Sequence, residues 1–362
     1  MDSEKRFELV IRNTQEIITA SELKSLLETN AHPKAYWGVE QSGKMHIGMG
    51  LVCGRKIKDM VEAGFDFIIF LADWHSWINN KLGGKMENIR ACGEYFKAAF
   101  KGLGLPEGRV RYLWASELAG ERSYWEKVIR IGKVNSMQRI WRALPIMGRT
   151  LDSKDVEAAA TFYPCMQAAD IFQMELDLAY AGIDQRKAHV LARESADELK
   201  AKKPVCLHTP LLMDLRGPTR KTEGKFDENK NLSMEIGLKM SKSVPESAIF
   251  VHDSPEIIVK KIKAAYCPAK EVKNNPILQY SKYIVFTELE ELRIERSAKF
   301  GGPVSFDSYE KLESAYRKGA IHPLDLKTGV GQAIAKILEG VRAEFERNPE
   351  PLERMERIEV TR

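Results

Sequence analysis

Ala35-Tyr-Trp-Gly-Val39 is followed by Ser42-Gly-Lys-Met-His46-Ile-Gly48, then by a helical run from Met49 to Ala63 closed by Gly64, then by the apolar run Phe65 to Ala72. This stretch decides the fold. Its first segment reads as a short strand and its last as a strand covered on both faces. The helix between them ends on a glycine, a natural C-cap. Strand, crossover helix and strand predict a parallel pair. Ligands of such sheets bind beyond the carboxyl ends of the strands, where the His46 turn lies.

The alternation continues outward. A helix is expected near Met86 to Leu103 and strands at Val110 to Ala115, Asp177 to Ala181 and Val205 to His208, with a helix over Gln185 to Ala201. The expected class is α/β: a doubly wound, Rossmann-like parallel sheet with a helical insertion at about 116–160. Arg216 to Asn231 reads as a polar loop. After it comes Lys239-Met-Ser-Lys-Ser243. Ser254-Pro255-Glu256 opens a helix, with serine at the N-cap and proline at N1. Ile334, Ile337, Leu338, Val341 and Phe345 share one face of a tail helix. No strand is expected after Ala248 to Val251. The division expected is a catalytic domain, 1–245, and an α-helical C-terminal domain, 246–362.

With 362 residues the chain has room for two domains. Its net charge of +5 excludes a histone-like polycation. The five cysteines are scattered and the histidines lack metal-ligand spacing, so neither a disulfide frame nor a structural metal is expected. Met1 to Arg12 is charged rather than apolar, and no apolar run reaches membrane-spanning length. A cytoplasmic protein without a membrane segment is expected.

The two polar motifs carry the chemistry. In the first, Gly43 and Gly48 let the backbone approach a nucleotide, and His46 can donate to an α-phosphate oxygen as charge builds there. It is neither a Walker loop nor G-x-G-x-x-G. Alone, it reads first as an ordinary strand–helix turn with one satisfied histidine. In the second, Lys239, Ser241 and Lys242 have the charges and hydroxyls to hold a polyphosphate. A lone lysine-rich pentapeptide reads by default as a solvated loop. Tyr163, Gln167 and Asp170 fall at i, i+4 and i+7, one helix face.

Together the motifs resemble the "HIGH" and "KMSKS" signatures of class I aminoacyl-tRNA synthetases. From Arg12 to about Glu339 the chain resembles the archaeal branch of tyrosyl-tRNA synthetases. The resemblance rests on Tyr36-Trp-Gly38, Leu71-Ala-Asp-Trp-His75, Tyr163-Pro-Cys-Met-Gln167-Ala-Ala-Asp170, Gly182-Ile-Asp-Gln-Arg-Lys187, Lys239 to Ser243, Ala265-Tyr-Cys-Pro268, Lys299-Phe-Gly-Gly302 and His322-Pro-Leu-Asp325. Met49 stands where "HIGH" has its second histidine, and Gln41 where a proline is expected.

The resemblance implies a tyrosine–tRNA ligase with ATP and tRNA as substrates, Mg²⁺ on the phosphates, and a homodimer formed through the insertion. It implies that His46, Lys239 and Lys242 are catalytic, with Gly43, Gly48 and Ser241 also at ATP. It places Tyr36 and Asp170 at the substrate phenol and Tyr163, Gln167 and Gln185 at its ammonium. It directs Arg186 and Lys187 to the acceptor stem, and Phe300, His322 and Asp325 to the anticodon. The nearest rival is a tryptophanyl-tRNA synthetase of the same plan; a small nucleotidyltransferase and a non-catalytic tRNA-binding relative stand further off.

Overall fold

Six strands form the central sheet: β1 (Glu16–Ile18), β2 (Lys34–Val39), β3 (Asp66–Leu71), β4 (Val110–Trp114), β5 (Leu178–Gly182) and β6 (Val205–Thr209). They lie in the order β1-β6-β5-β2-β3-β4, all parallel except β1, which runs antiparallel to β6. The computed structural model describes residues 1–106, 108–153, 156–219 and 224–358. Strand order reverses between β2 and β5, and the crevice beyond their carboxyl ends is the switch point where such sheets bind ligands. The chain leaves β2 into the His46 turn and β5 into Ile183–Gln185.

Alternation along the strands divides the core into two layers. Trp37, Ile69 and Tyr180 pack on one face, with the helix Met86–Gly102 and the C-terminal helices. Tyr36, Ile68, Phe70 and Ala179 pack on the other, with Tyr124, Val128, Met166 and Ile171. Tyr36 thereby faces the helix Phe162–Gln173. Between β4 and the helix Phe162–Gln173 the described residues hold the helices Ala115–Ala119, Arg122–Val134 and Met137–Trp141. Residues 154, 155 and 220–223, within the expected insertion and polar loop, lie outside the described residues, as do 359–362 at the tail.

Several expectations are corrected. The helix after the His46 turn is regular only over Gly54–Glu62; Gly48–Cys53 is a π-helical turn. β1 was not expected. Two strands do follow the Lys239 motif: β7 (Leu292–Ile294) pairs antiparallel with β8 (Val304–Phe306). The tail helix is broken in two, Pro323–Ile337 and Glu339–Arg347. The Ser254 cap is present, its hydroxyl accepting the N–H of Ile257.

Ala248 to Val251 forms only a single bridge, and that bridge pairs Phe250 with His46. Ile47 N–H donates to Ile249 at 2.9 Å, and Val251 N–H to Met45 at 3.0 Å. Gly50 makes this clamp possible, since a Cβ there would lie 2.5 Å from Val251 Cγ1. Gly50→Ala should destabilise the protein by ~1–3 kcal/mol through overpacking. Thermal unfolding measures this, and an unchanged melting temperature would show that the clamp yields freely.

Candidate active site

The His46 turn is set by its backbone. Gly43 has φ +126°, a conformation that side-chain-bearing residues rarely adopt. The His46 ring lies over Gly48, where a Cβ would sit 3.0 Å from two ring atoms. Gly48 N–H donates to His46 Nδ1 at 3.2 Å. The proton of the neutral ring therefore sits on Nε2, the free end. Burial, with Lys242 and Lys239 adding, pushes the His46 pKa down to about 3. The ring is a neutral N–H donor across the physiological range.

The Lys239 motif folds over both strand ends. Lys239 Nζ pairs with Asp184, just after β5, at 2.7 Å. Lys242 Nζ donates to Ser42, just after β2, at 2.8 Å and lies 5.4 Å from the centre of the Phe96 ring. Burial lowers the Lys242 pKa to about 8. Lys239 holds the Asp184 carboxyl below its ordinary value against the opposing effect of burial. Ser241 bonds Ser243 at 2.9 Å and makes no contact with the turn.

Beside this, along the helix Phe162–Gln173, lies a cluster of buried polar side chains. Asp170, 1% exposed, accepts the Tyr124 hydroxyl at 2.9 Å and lies 3.2 Å from His75 Nε2. Burial alone would lower the His75 pKa; the Asp170 carboxylate, with Glu40 and Asp73 beyond it, outweighs burial and raises it. Tyr36 is buried in the same layer, and burial with the Asp170 charge lifts its phenol pKa far above the ordinary value. A carboxylate has about four lone-pair positions, so Asp170 retains room for another O–H donor.

Farther along the face, Tyr163 donates to Glu40 at 2.9 Å, and Asn79 donates to the same oxygen at 2.8 Å. Gln167 Nε2 donates to Gln185 Oε1 at 3.3 Å, and Gln185 Nε2 to Ile146 O at 3.0 Å. Gln167 Oε1 is buried without a hydrogen-bond partner. An orphaned acceptor of this kind is costly unless a ligand supplies the donor.

The structure links Tyr163, Gln167, Asp170 and Gln185 in one polar cluster, with Tyr36 buried near the Asp170 charge and Lys239 joined to it through Asp184. Sequence reasoning missed Glu40, His75, Tyr124 and Asp184. His75 and Asp184 stood inside stretches already singled out, but no spacing rule joins them to Asp170 or Lys239. Other candidates lie elsewhere. Arg186 Nε bonds both Glu16 oxygens at 2.8 and 2.9 Å, and Lys187 pairs with Asp227 and Glu228. Phe300 is 63% exposed, not core. His322 is exposed and caps its own helix, Nδ1 accepting the N–H of Leu324 at 3.2 Å, with Asp325 in that helix's first turn. Arg296 joins the two segments by bonding Gly302 O and Ala320 O.

The chain is similar to known proteins along its whole length. The family model for tRNA synthetases class I (W and Y) matches residues 28–339. The tyrosine–tRNA ligase of Aeropyrum pernix is 47% identical over 365 residues, covering 100% of this chain and 99% of the relative. That of Saccharolobus solfataricus is 44% identical over 358 residues, covering 99% and 97%. The crystal structure of Pyrococcus horikoshii tyrosyl-tRNA synthetase complexed with L-tyrosine matches with TM-score 0.91 and 42% identity, covering 98% of this chain and 100% of that one.

His46 carries the most direct test of the site's electrostatics. Its ring resonances should stay fixed between pH 5 and 8 in an NMR titration. A midpoint near the ordinary 6.5 would show a solvated ring that does not face the lysines.

Proposed function

The chain belongs to the class I tRNA synthetases for tryptophan and tyrosine, and we propose how its polar cluster and its two signature motifs divide the work of tyrosine–tRNA ligation. Tyrosine–tRNA ligase is the name of relatives that align along the whole chain, and the tryptophan reading is not favoured. ATP is the second substrate. The observation that carries the residue assignment is a pair of acceptors on one helix face, Asp170 with spare capacity and Gln167 Oε1 with no partner. Three residues apart on a helix, they suit the two polar ends of one bound amino acid. Asp170 takes the phenol proton, with Tyr36 beside it. Gln167 takes an ammonium N–H, with Tyr163 and Gln185 holding its position.

Phenylalanine would add a ring but no donor for Asp170. A site with acceptor capacity that only a hydroxyl-bearing guest fills rejects the guest that lacks it, and tyrosyl-tRNA synthetases are themselves a known case of such rejection.

In the first step the tyrosine carboxylate attacks the α-phosphorus of ATP, forming tyrosyl-adenylate and releasing pyrophosphate. His46 Nε2–H donates to an α-phosphate oxygen. Lys239 and Lys242 take up the charge of the departing pyrophosphate. Mg²⁺ enters with the ATP phosphates as part of the substrate; among the described residues no cluster of three His, Cys, Asp or Glu side chains would hold an ion by itself. In the second step a terminal ribose hydroxyl of tRNA attacks the anhydride. Arg186 and Lys187 meet the acceptor stem by exchanging their carboxylate partners for nucleic acid. Phe300, His322 and Asp325 meet the anticodon, with Phe300 exposed to stack on a base.

The proposed division remains 1–245 and 246–362, with the insertion at 116–160. Exposed Ile129, Val134 and Met137 on that insertion supply an apolar face for a homodimer. No helix among the described residues is long and apolar enough to cross a membrane. The described cysteines are all free thiols, which suits a reducing cytoplasm.

Two experiments test these roles. Asp170→Asn should lower kcat/KM for tyrosine-dependent pyrophosphate exchange about ten- to a hundredfold, the rate equivalent of losing a ~1.5–3 kcal/mol charge-assisted bond. Undiminished exchange with tyrosine, or faster exchange with tryptophan, would overturn the assignment. Lys242 is charged below about pH 8 and loses its proton above it, so kcat/KM for ATP should fall as pH rises through that value. Lys242→Ala should slow adenylate formation ~10²-fold or more while tyrosine affinity holds. Equal, small effects on rate and affinity in single-turnover kinetics would reject that role.

A further inference from the structure

Behind the His46 turn runs the helix Met86–Gly102, and one of its residues is unused by the mechanism above. Tyr95 is fully buried. Its hydroxyl oxygen accepts the Met45 N–H at 3.2 Å and lies 2.8 Å from His252 Nδ1. Burial, with Lys44 adding, pushes the His252 pKa down to about 4, so at neutral pH the ring is uncharged. Burial likewise keeps the Tyr95 phenol protonated. In the neutral-ring tautomer that leaves Nδ1 bare, Tyr95 accepts from Met45 and donates its own proton to His252.

The same ring stacks on Phe345, with centroids 5.4 Å apart and planes 10° from parallel. His252 meets Phe345 edge-on and lies flat against Phe250. Phe345 belongs to the helix Glu339–Arg347, near the end of the chain. Lys44 pairs with Glu356 at 3.6 Å, and Lys101 with Glu344 at 3.1 Å. The backbones meet closely there: a Cβ on Gly102 would lie 2.6 Å from Val341 Cα.

We propose that Tyr95 is a positioning residue for adenylate formation, fixing the backbone beside His46 and making that turn depend on the docked C-terminal helices. The proposal rests on the reading of His46 as the phosphate donor. Met45 O and Ile47 N are held by Val251 and Ile249, and Tyr95 holds Met45 N. A donor preorganised in this way acts chiefly in the transition state, where small displacements cost rate rather than substrate affinity.

The test uses the full chain in single-turnover adenylate formation, with tyrosine affinity measured in parallel. Tyr95→Phe keeps the stack and removes the hydroxyl. It should slow adenylate formation about tenfold and leave tyrosine affinity within about twofold. His252→Leu should do the same. His252→Asn, which keeps an acceptor near the Nδ1 position, should restore most of the rate. Phe345→Leu should slow the step with the hydroxyl still present. His46→Ala is the reference. If it is slow while Tyr95→Phe and His252→Leu run at the wild-type rate, Tyr95 has no positioning role. Parallel losses of rate and tyrosine affinity would likewise overturn it, as the mark of general damage. If His46→Ala itself is not slowed, the reading of His46 fails first.

Discussion

The antiparallel bridge between Met45–Ile47 and Ile249–Val251 is the constraint on which the site depends. The two signature motifs lie almost two hundred residues apart, and neither is a stable structure by itself. One is a glycine-bearing turn; the other is a polar loop. Pairing the segment just after Ser243 with the backbone on both sides of His46 brings them together. The loop's two lysines then reach the ends of β2 and β5, while the bridge itself packs into the apolar core through Ile249 and Val251. A short ladder buried on both faces is stiffer than a surface loop, so the geometry of phosphate binding is inherited from the core.

The polar cluster shows how a buried acid is kept ready without being left bare. An isolated carboxylate at the depth of Asp170 would take up a proton or disrupt the fold. Tyr124 and His75 each engage one of its oxygens, which compensates the charge but does not saturate it. In the proposed reading a guest hydroxyl would join the Asp170–Tyr124 hydrogen bond beside the His75 ring, and selectivity would follow from that arrangement as much as from one charge.

Much of the sheet was legible because its strands are continuous apolar runs between punctuating turns, which parallel burial requires. β1, β7 and β8 were not. Each has three residues, too few for a period, and each is a strand only because of a distant partner, as Glu16 is through His208. The tail helix breaks because Leu338 leaves helical geometry where Gly340 meets the backbone of Gly102. Site legibility followed the same division. His46, Lys239, Lys242 and Asp170 stand in local motifs whose spacing carries meaning. Tyr124 sits among Val128 and Ile131 on an amphipathic helix and reads as core until Asp170 is placed opposite it. Glu40 is a lone acid after a strand, and only the fold sets Tyr163, Asn79 and Lys81 around it.

The same logic explains why the two lysines are held so lightly. Lys239 pairs with Asp184 at 2.7 Å, but the lysine side chain stays 35% exposed, so water still reaches its ammonium. Lys242 is held by one hydroxyl and an aromatic face rather than by a carboxylate. Had either lysine been locked in a strong buried ion pair, arriving phosphates would have had to break it, and binding energy would have gone into that exchange. Weak contacts park the ammonium groups over the strand ends and give way to a ligand of higher charge. Burial works in the same direction for Lys242, because in the proposed reaction the phosphates would meet its ammonium where water screens it little. In the proposed reaction the loop's interactions would be strongest when negative charge moves onto the leaving pyrophosphate, the point at which they would lower the barrier.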